Sequence, residues 1–286
     1  MNFPTCSLIV STYNRPDALE LCLESILQQA QLPDEIVVAD DGSGEPTGQL
    51  VQTMQQRSTV PIVHVWQPDD GYQLARIRNR AFAAAKGEYL VQIDGDLVLD
   101  KNFIRDHLKM SRRGRFVSGS RTMMDSVLTE KLLSGEIKPA AILRYPEHLS
   151  KKHNAVRSWP LRVLSYFVQR RSTNYRYVLG CNMAFWKKDL LKVNGYNESF
   201  KGWGKEDNEL AVRLQNAGCK LRFIKFGAVV YHLHHRVADL SAVPSNEEKL
   251  QQTIAQGVTF VPEGMNNYIA RQGSPLQSFG ERNIKD

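Results

Sequence analysis

Three short clusters hold residue types that can do chemistry. Asp94-Gly95-Asp96 sets two carboxylates two residues apart. Hard oxygen ligands of that kind favour Mg²⁺ or Mn²⁺, with diphosphate oxygens and water completing the shell; the same tripeptide is also ordinary turn chemistry. Gly202-Trp203-Gly204-Lys205-Glu206-Asp207-Asn208-Glu209 places an indole between two glycines, just before paired acids. Acids at a helix start are electrostatically normal. Trp on flexible backbone is poor structural filler, however, and beside Glu206 and Asp207 it suits stacking on a sugar ring while a carboxylate takes a hydroxyl proton. Tyr231-His232-Leu233-His234-His235 offers three imidazoles in four positions, which fits a metal ligand as well as a surface histidine cluster.

These clusters need elements to hold them. Cys6 to Ser11 reads as a strand, and Pro16 opens a helix whose apolar face is Leu19, Leu23, Ile26 and Leu27. Glu35 to Ala39 reads as a second strand, ending in Asp40-Asp41-Gly42-Ser43; Leu50 and Met54 mark a helix, and Val60 to Trp66 a third strand. Leu74 to Ala85 reads as a helix stopped by Gly87, and Tyr89 to Ile93 as a fourth strand running into Asp94. Repeated strand–helix units with near-continuous apolar strands predict an α/β fold with a mostly parallel sheet covered on both faces. Ligands in such sheets bind beyond the strand C-termini, where both Asp40/Asp41 and Asp94/Asp96 fall. The second half is less regular. Helices are expected over Phe103 to Met110, over Lys205 to Ala217 with Gly218 closing it, and over Asn246 to Ala255. Strands are expected over Phe116 to Gly119, near Asn182 to Trp186 and near Val229 to Tyr231.

At 286 residues the chain can form one large domain, and 42% apolar with 23% charged residues excludes wholesale disorder. Met1 to Val10 carry no basic region, and no stretch approaches the ~18 apolar residues of a membrane span. Cys6, Cys22, Cys181 and Cys219 form no close pair, which fits buried thiols and a cytoplasmic location. The formal charge of +7 calls for an anionic partner. The excess concentrates in 148–176, where Lys151, Lys152, Arg157, Arg162, Arg170, Arg171 and Arg176 occur without an acidic residue after Glu147. Trp159, Leu161, Val163, Leu164, Tyr166, Phe167 and Val168 are interleaved with them. A solvated face explains the charges; the aromatics favour peripheral contact with an anionic membrane. Nucleic acid is not expected, because no nucleic-acid module accompanies the charge.

Ser7-Leu8-Ile9-Val10-Ser11-Thr12-Tyr13-Asn14 and Glu35-Ile36-Val37-Val38-Ala39-Asp40-Asp41-Gly42-Ser43 resemble the opening of family 2 glycosyltransferases. Asp69-Asp70-Gly71-Tyr72, Arg78-Asn79-Arg80-Ala81 and Gly87-Glu88-Tyr89 continue the pattern, and Asp94-Gly95-Asp96 is similar to the family's DxD motif. Asn194-Gly195-Tyr196-Asn197-Glu198, followed by Gly202 to Asp207, resembles the GWGxED region of β-1,4-galactosyltransferases and related bacterial enzymes. The resemblance implies a GT-A fold, a Rossmann-like sheet flanked by helices with a smaller acceptor-side region. It implies a nucleotide-sugar-binding half over 1–97, an acceptor-binding and catalytic half of the same domain over 98–237, and a C-terminal extension over 238–286. By the same resemblance Ser11, Tyr13 and Asp41 contact the nucleotide base, usually uracil, Arg78 approaches the donor, and Asp94 lies near the ribose or sugar. Asp96 binds Mn²⁺ or Mg²⁺ with His232, and His234 is the second choice of imidazole. Asp207 serves as catalytic base, Glu206 holds donor or acceptor hydroxyls, and Trp203 is the acceptor platform. Two departures stand out: Asn208 replaces an acidic residue of the galactosyltransferases, and their vertebrate-type anchor and disulfides have no counterpart.

The implied reaction is inverting transfer of a hexose or N-acetylhexosamine from a UDP-sugar to a hydroxyl of a glycan or lipid-linked glycan, in bacterial surface polysaccharide or lipopolysaccharide synthesis. A divalent ion would stabilise charge on the departing diphosphate, and Asp207 would take the acceptor proton. Two alternatives are a sugar-nucleotide-binding protein of the same fold without transfer activity, and a nucleotidyltransferase. The second would open with a glycine-rich phosphate loop where this chain has Ser11-Thr12-Tyr13-Asn14-Arg15-Pro16.

Overall fold

Seven consecutive buried residues make strand β1 (Cys6–Thr12). Helix α1 (Pro16–Leu27) starts on its proline and buries Ala18, Leu19, Cys22, Leu23 and Ile26. The unit repeats as β2 (Glu35–Asp40), α2 (Glu45–Arg57), β3 (Ile62–Trp66) and α3 (Leu74–Ala84). Strand β4 (Tyr89–Asp94) ends the series, and β5 (Leu97–Leu99) follows after only Gly95 and Asp96. Helix α4 (Phe103–Met110), strands β6 (Arg115–Ser118) and β7 (Thr122–Met124), helix α5 (Ser126–Leu133) and the two-residue β8 (Leu149–Ser150) lead into α6 (Trp159–Val168). The remaining elements are β9 (Asn182–Trp186), α7 (Lys187–Val193), α8 (Glu206–Asn216), β10 (Lys220–Phe223), β11 (Val230–His232), α9 (Val243–Ala255) and α10 (Asn266–Ile269). This computed structural model describes residues 3–168, 174–236 and 239–269; Arg170, Arg171 and the end of the C-terminal extension lie outside them.

A seven-stranded sheet runs in the order β10-β6-β9-β4-β1-β2-β3. Its pairs are parallel except for β9, which is antiparallel to both β4 and β6. Residues on both sides of the expected 97/98 division therefore share one sheet. Strands β5, β11, β7 and β8 form a second, small sheet that the sequence pattern does not reveal. One apolar layer packs α1, α2 and α4 on one face of the large sheet, and another packs α3, α7 and α8 on the other. A third cluster lies under the small sheet. Among the described residues no helix is long and apolar enough to cross a membrane.

Gly87 has a different role from the expected helix stop. Helix α3 already ends at Ala84, with Ala85 extended. A Cβ on Gly87 would lie 2.6 Å from the Ser7 backbone nitrogen, so glycine is needed there for close approach to β1. Helix α9 starts three residues before its expected position and braces the 201–204 loop, with Asn246 Nδ2 donating to the carbonyls of Lys201 and Gly204.

Candidate active site

The C-terminal ends of β1, β2 and β4 open into a cleft of about 690 Å³. Ser11, Tyr13, Asp41, Asp94, Asp96, Trp203 and His232 all line it. Asp41 is buried, and its carboxylate accepts from Gln67 Nε2 at 2.6 Å and from the Gln73 backbone N–H at 2.9 Å. Burial outweighs these bonds and pushes its pKa up to about 6. Tyr13 is exposed and donates its hydroxyl to Asp69 at 2.8 Å. Gly42, at φ +99°, sits against Asp69, where a Cβ would come within 2.5 Å of the Asp69 Cα.

Arg78 organises the centre of the molecule. It is 1% exposed, and each guanidinium nitrogen has a partner: Nε donates to Ser11 Oγ at 3.2 Å, one terminal nitrogen to Asp94 at 2.9 Å, and the other to Asp207 at 2.9 Å. Glu206 stands 3.8 Å from the same guanidinium. The Tyr196 hydroxyl donates to the Asp207 oxygen that Arg78 holds, at 2.7 Å. Burial and the neighbouring Asp207 push the Glu206 carboxyl up, and one of its oxygens is buried without a hydrogen-bond partner. The guanidinium expected to approach the donor is engaged here by Ser11, Asp94 and Asp207.

Sequence-local features build this network. Asn194 and Gly195 both adopt positive φ, at 65° each, and turn the chain after α7 so that Tyr196 points inward. Arg213 holds the turn by donating to the carbonyls of Val193 and Gly195, and is itself fixed by the buried Glu209. Helix α8 then starts at Glu206, which puts both acids in its first turn, where the helix dipole favours negative charge. Gly180 allows Asp207 to sit where it does, since a Cβ there would lie 1.9 Å from Asp207 Oδ2.

Asp96 lies on the other side of the cleft. Its oxygens are 3.6 Å from His232 Nε2 and 3.2 Å from His235 Nε2, and the three ligand atoms fall within 4.8 Å of one another. His232 Nδ1 bonds the Leu233 carbonyl and His235 Nδ1 bonds the Arg236 carbonyl, at 2.7 and 2.6 Å. A carbonyl can only accept, so each Nδ1 carries its proton and each ring turns its Nε2 toward Asp96. Burial also pulls the His232 pKa down and keeps that ring neutral. Asp96 Oδ1 is buried without a hydrogen-bond partner. One carboxylate oxygen and two oriented imidazoles are a donor set that fits a divalent cation.

His235, not the expected alternative His234, joins this cluster. The His234 backbone N–H donates to Thr129 Oγ1, which carries its ring to a different position on the cleft wall. Trp203 reaches the cleft between two positive-φ glycines and is 42% exposed. Glu206 and Asp207 stand behind the wall through Arg78 instead of lining it. Asn208 turns away and donates to the Tyr175 carbonyl at 2.8 Å. Sequence reading missed Arg121 and Arg15, two further cations of the cleft. Arg15 comes within 3.6 Å of Asp96; its place just before Pro16, at the opening of a helix beyond a strand end, is the signal that could have found it.

Residues 7–186 match Glycosyl transferase family 2, and residues 163–236 match the N-terminal domain of galactosyltransferase. The chain is 32% identical to the chondroitin synthase of Escherichia coli over 79% of its own length and 34% of the relative's. It thus spans about a third of the length of such curated relatives. Among solved structures, S. aureus TarS 1–349 in complex with UDP-GlcNAc superposes with a TM-score of 0.61 at 15% identity, covering 92% of this chain and 69% of that one. Glucosyl-3-phosphoglycerate synthase from Mycobacterium tuberculosis, in complex with Mn²⁺, UDP and glucosyl-3-phosphoglycerate, gives 0.51 at 18% identity, covering 91% and 82%. These structures share the GT-A fold with this chain.

Proposed function

The chain belongs to glycosyl transferase family 2, and on that premise we propose that it transfers a hexose or N-acetylhexosamine from a UDP-sugar to a hydroxyl of an acceptor glycan, with inversion, in the synthesis of a bacterial surface polysaccharide or lipopolysaccharide. The observation that carries this reading is the Asp96, His232 and His235 cluster on the cleft wall, with the Glu206/Asp207 pair held behind that wall by Arg78. Ser11, Tyr13 and Asp41 lie where a nucleotide base would sit beyond the strand ends. Asp94, held by Arg78, borders the ribose and sugar.

Asp96, His232 and His235 would hold the metal, and a mixed carboxylate–imidazole set favours Mn²⁺ over Mg²⁺. A divalent ion there supplies positive charge against the leaving diphosphate. Arg78 is a positioning residue: with Tyr196 it fixes one oxygen of Asp207. Asp207 then acts as the base toward the acceptor hydroxyl, Glu206 holds hydroxyls beside it, and Trp203 stacks on the acceptor ring. The acceptor is a glycan or lipid-linked glycan presented at the cytoplasmic face of an anionic membrane, which the 148–176 segment contacts. The described cysteines are all free and buried, in keeping with a reducing compartment.

Calorimetric titration with UDP tests the reading. Binding that requires Mn²⁺ and weakens by at least about 100-fold in Asp96→Ala is expected, since a direct ligand matters more than the groups that orient ligands, worth roughly 10–100-fold. UDP affinity indifferent to metal and to this substitution would remove the proposed donor site.

A further inference from the structure

Helix α6 carries an apolar stripe in full view of solvent. Trp159, Val163, Leu164 and Phe167 stand at spacings that share one helix face. Trp159 is 68% exposed, and Leu164 and Phe167 are 59% exposed each. Two arginines of the same segment point the other way. Arg157 and Arg162 both donate to the fully buried carboxylate of Asp106, which also accepts the Ala228 backbone N–H. Arg157 is also 3.5 Å from Asp100. This clasp fixes the helix to the body with its stripe outward. It leaves Lys151 and Lys152 as exposed cations shortly before the stripe, in a stretch without acids after Glu147.

The clasp is tied to the cleft through two strands. Strand β5 (Leu97–Leu99) joins Asp96 to Asp100, and β11 (Val230–His232) follows two residues after Ala228; the two pair antiparallel with Leu97 opposite His232. At ~3.4 Å per strand residue, the metal-ligating end and the clasp lie roughly 10–15 Å apart.

We infer that α6 is an interfacial helix that seats the protein on an anionic lipid bilayer, with the Trp159 to Phe167 stripe at the acyl boundary and the cleft at a fixed height above it. This deepens the membrane contact proposed above and rests on that reading only for the lipid-carried acceptor. An exposed apolar stripe preceded by exposed lysines complements an anionic headgroup layer over a hydrocarbon interior. Because two of the segment's arginines are paired with Asp106 and Asp100, insertion of apolar side chains dominates binding, and salt weakens it only modestly.

Flotation of the full chain with phosphatidylcholine vesicles, with and without phosphatidylglycerol, tests this. Leu164→Glu combined with Phe167→Glu should lower the vesicle-bound fraction by about tenfold or more, since each carries a charge into the apolar boundary. Lys151→Ala combined with Lys152→Ala should lower it roughly threefold, and only on phosphatidylglycerol vesicles, as headgroup attraction contributes modestly per residue. UDP binding in the same samples should be unchanged for both variants, which reports their folding. Unchanged partitioning of the Leu164/Phe167 variant, or wild-type binding that vanishes at moderate salt, overturns the inference. So does a dimer that becomes monomeric in that variant without vesicle binding, because the stripe would then cover a second copy. Failure of UDP binding in the wild type would instead strike the transferase reading and leave the vesicle result standing.

Discussion

Asp94 and Asp96 are two residues apart and have opposite surroundings. Asp94 is paired with a buried arginine that also holds Asp207 and approaches Glu206. Asp96 faces two imidazole Nε2 atoms and keeps one buried oxygen without a hydrogen-bond partner. The first environment is closed: one guanidinium is shared by the carboxylates of Asp94 and Asp207, and the third carboxyl, Glu206, is pushed toward its neutral form. The second is open: a buried polar atom without a partner costs on the order of 1–3 kcal/mol, which a cation would recover. A two-carboxylate motif therefore divides into one member that organises the protein and one that awaits a ligand.

The largest expected effect breaks the closed side. Arg78→Ala leaves Asp94, Asp207 and Glu206 facing one another without a cation. Removing one partner of a buried ion pair costs about 3–5 kcal/mol, so thermal unfolding should shift down on the order of 10 °C for a chain of this size. Arg78→Lys should recover little, since one ammonium cannot span three partners. A melting temperature within about 2 °C of wild type for the alanine variant would mean that the network contributes little to the fold.

The next effect sharpens the open side. His235→Ala should weaken Mn²⁺-dependent UDP binding by roughly 10–100-fold, while His234→Ala should stay within about threefold, because only His235 joins Asp96 and His232. The reverse ranking, measured by titration, would reassign the third ligand. Asp41 offers a second test on the open side: it is buried, and its carboxylate accepts only from Gln67 and the Gln73 backbone among the described hydrogen bonds. Its carboxyl holds a proton up to about 6 in the folded protein, above its ordinary value of 3.8. The folded state therefore binds more protons than the unfolded chain within that window, and this group lowers stability as pH rises through it. UDP recognition by the ionised form should run the other way, falling up to about tenfold per unit below pH 6. A pH-independent UDP affinity between about 5 and 7 would show that ionised Asp41 is not what the base contacts.

How far this contrast could be read from the sequence follows from its causes. Strands β1, β2 and β4 are buried on both faces, so they appear as apolar runs, and the acids at their ends fall where ligands bind. The small sheet is invisible because β5, β7, β8 and β11 have two or three residues each, too few to show a period. The choice between His234 and His235 depends on the backbone turn after β11, which Thr129 and the buried Leu233 set from elsewhere in the chain. Arg78 was legible in part. It falls on the same helical face as Leu74 and Phe82, and a charge at core spacing announces a buried partner; which partners, only the packing of β4 against α8 decides. The 148–176 segment read as uniformly basic because sequence alone cannot see that Asp106 turns two arginines inward.

The smallest expected effect tests whether the closed network has room for further charge. Asn208 occupies the position where galactosyltransferases carry another acid, in the same first turn as Glu206 and Asp207. Here its amide donates to the Tyr175 carbonyl and steadies the segment before β9. In Asn208→Asp that donor is lost and a carboxylate faces a carbonyl oxygen, which should cost about 1–2 kcal/mol. The helix dipole returns part of this, on the order of 0.5 kcal/mol, because position 208 is still in the first turn. The net change should be about 1 kcal/mol, read as a fall in melting temperature of roughly 2–4 °C. Transfer rate should change little, since the side chain points away from the cleft. A variant with unchanged stability and a severalfold change in rate would mean that residue 208 reaches the Glu206/Asp207 pair during the reaction, and that the closed network opens toward the acceptor.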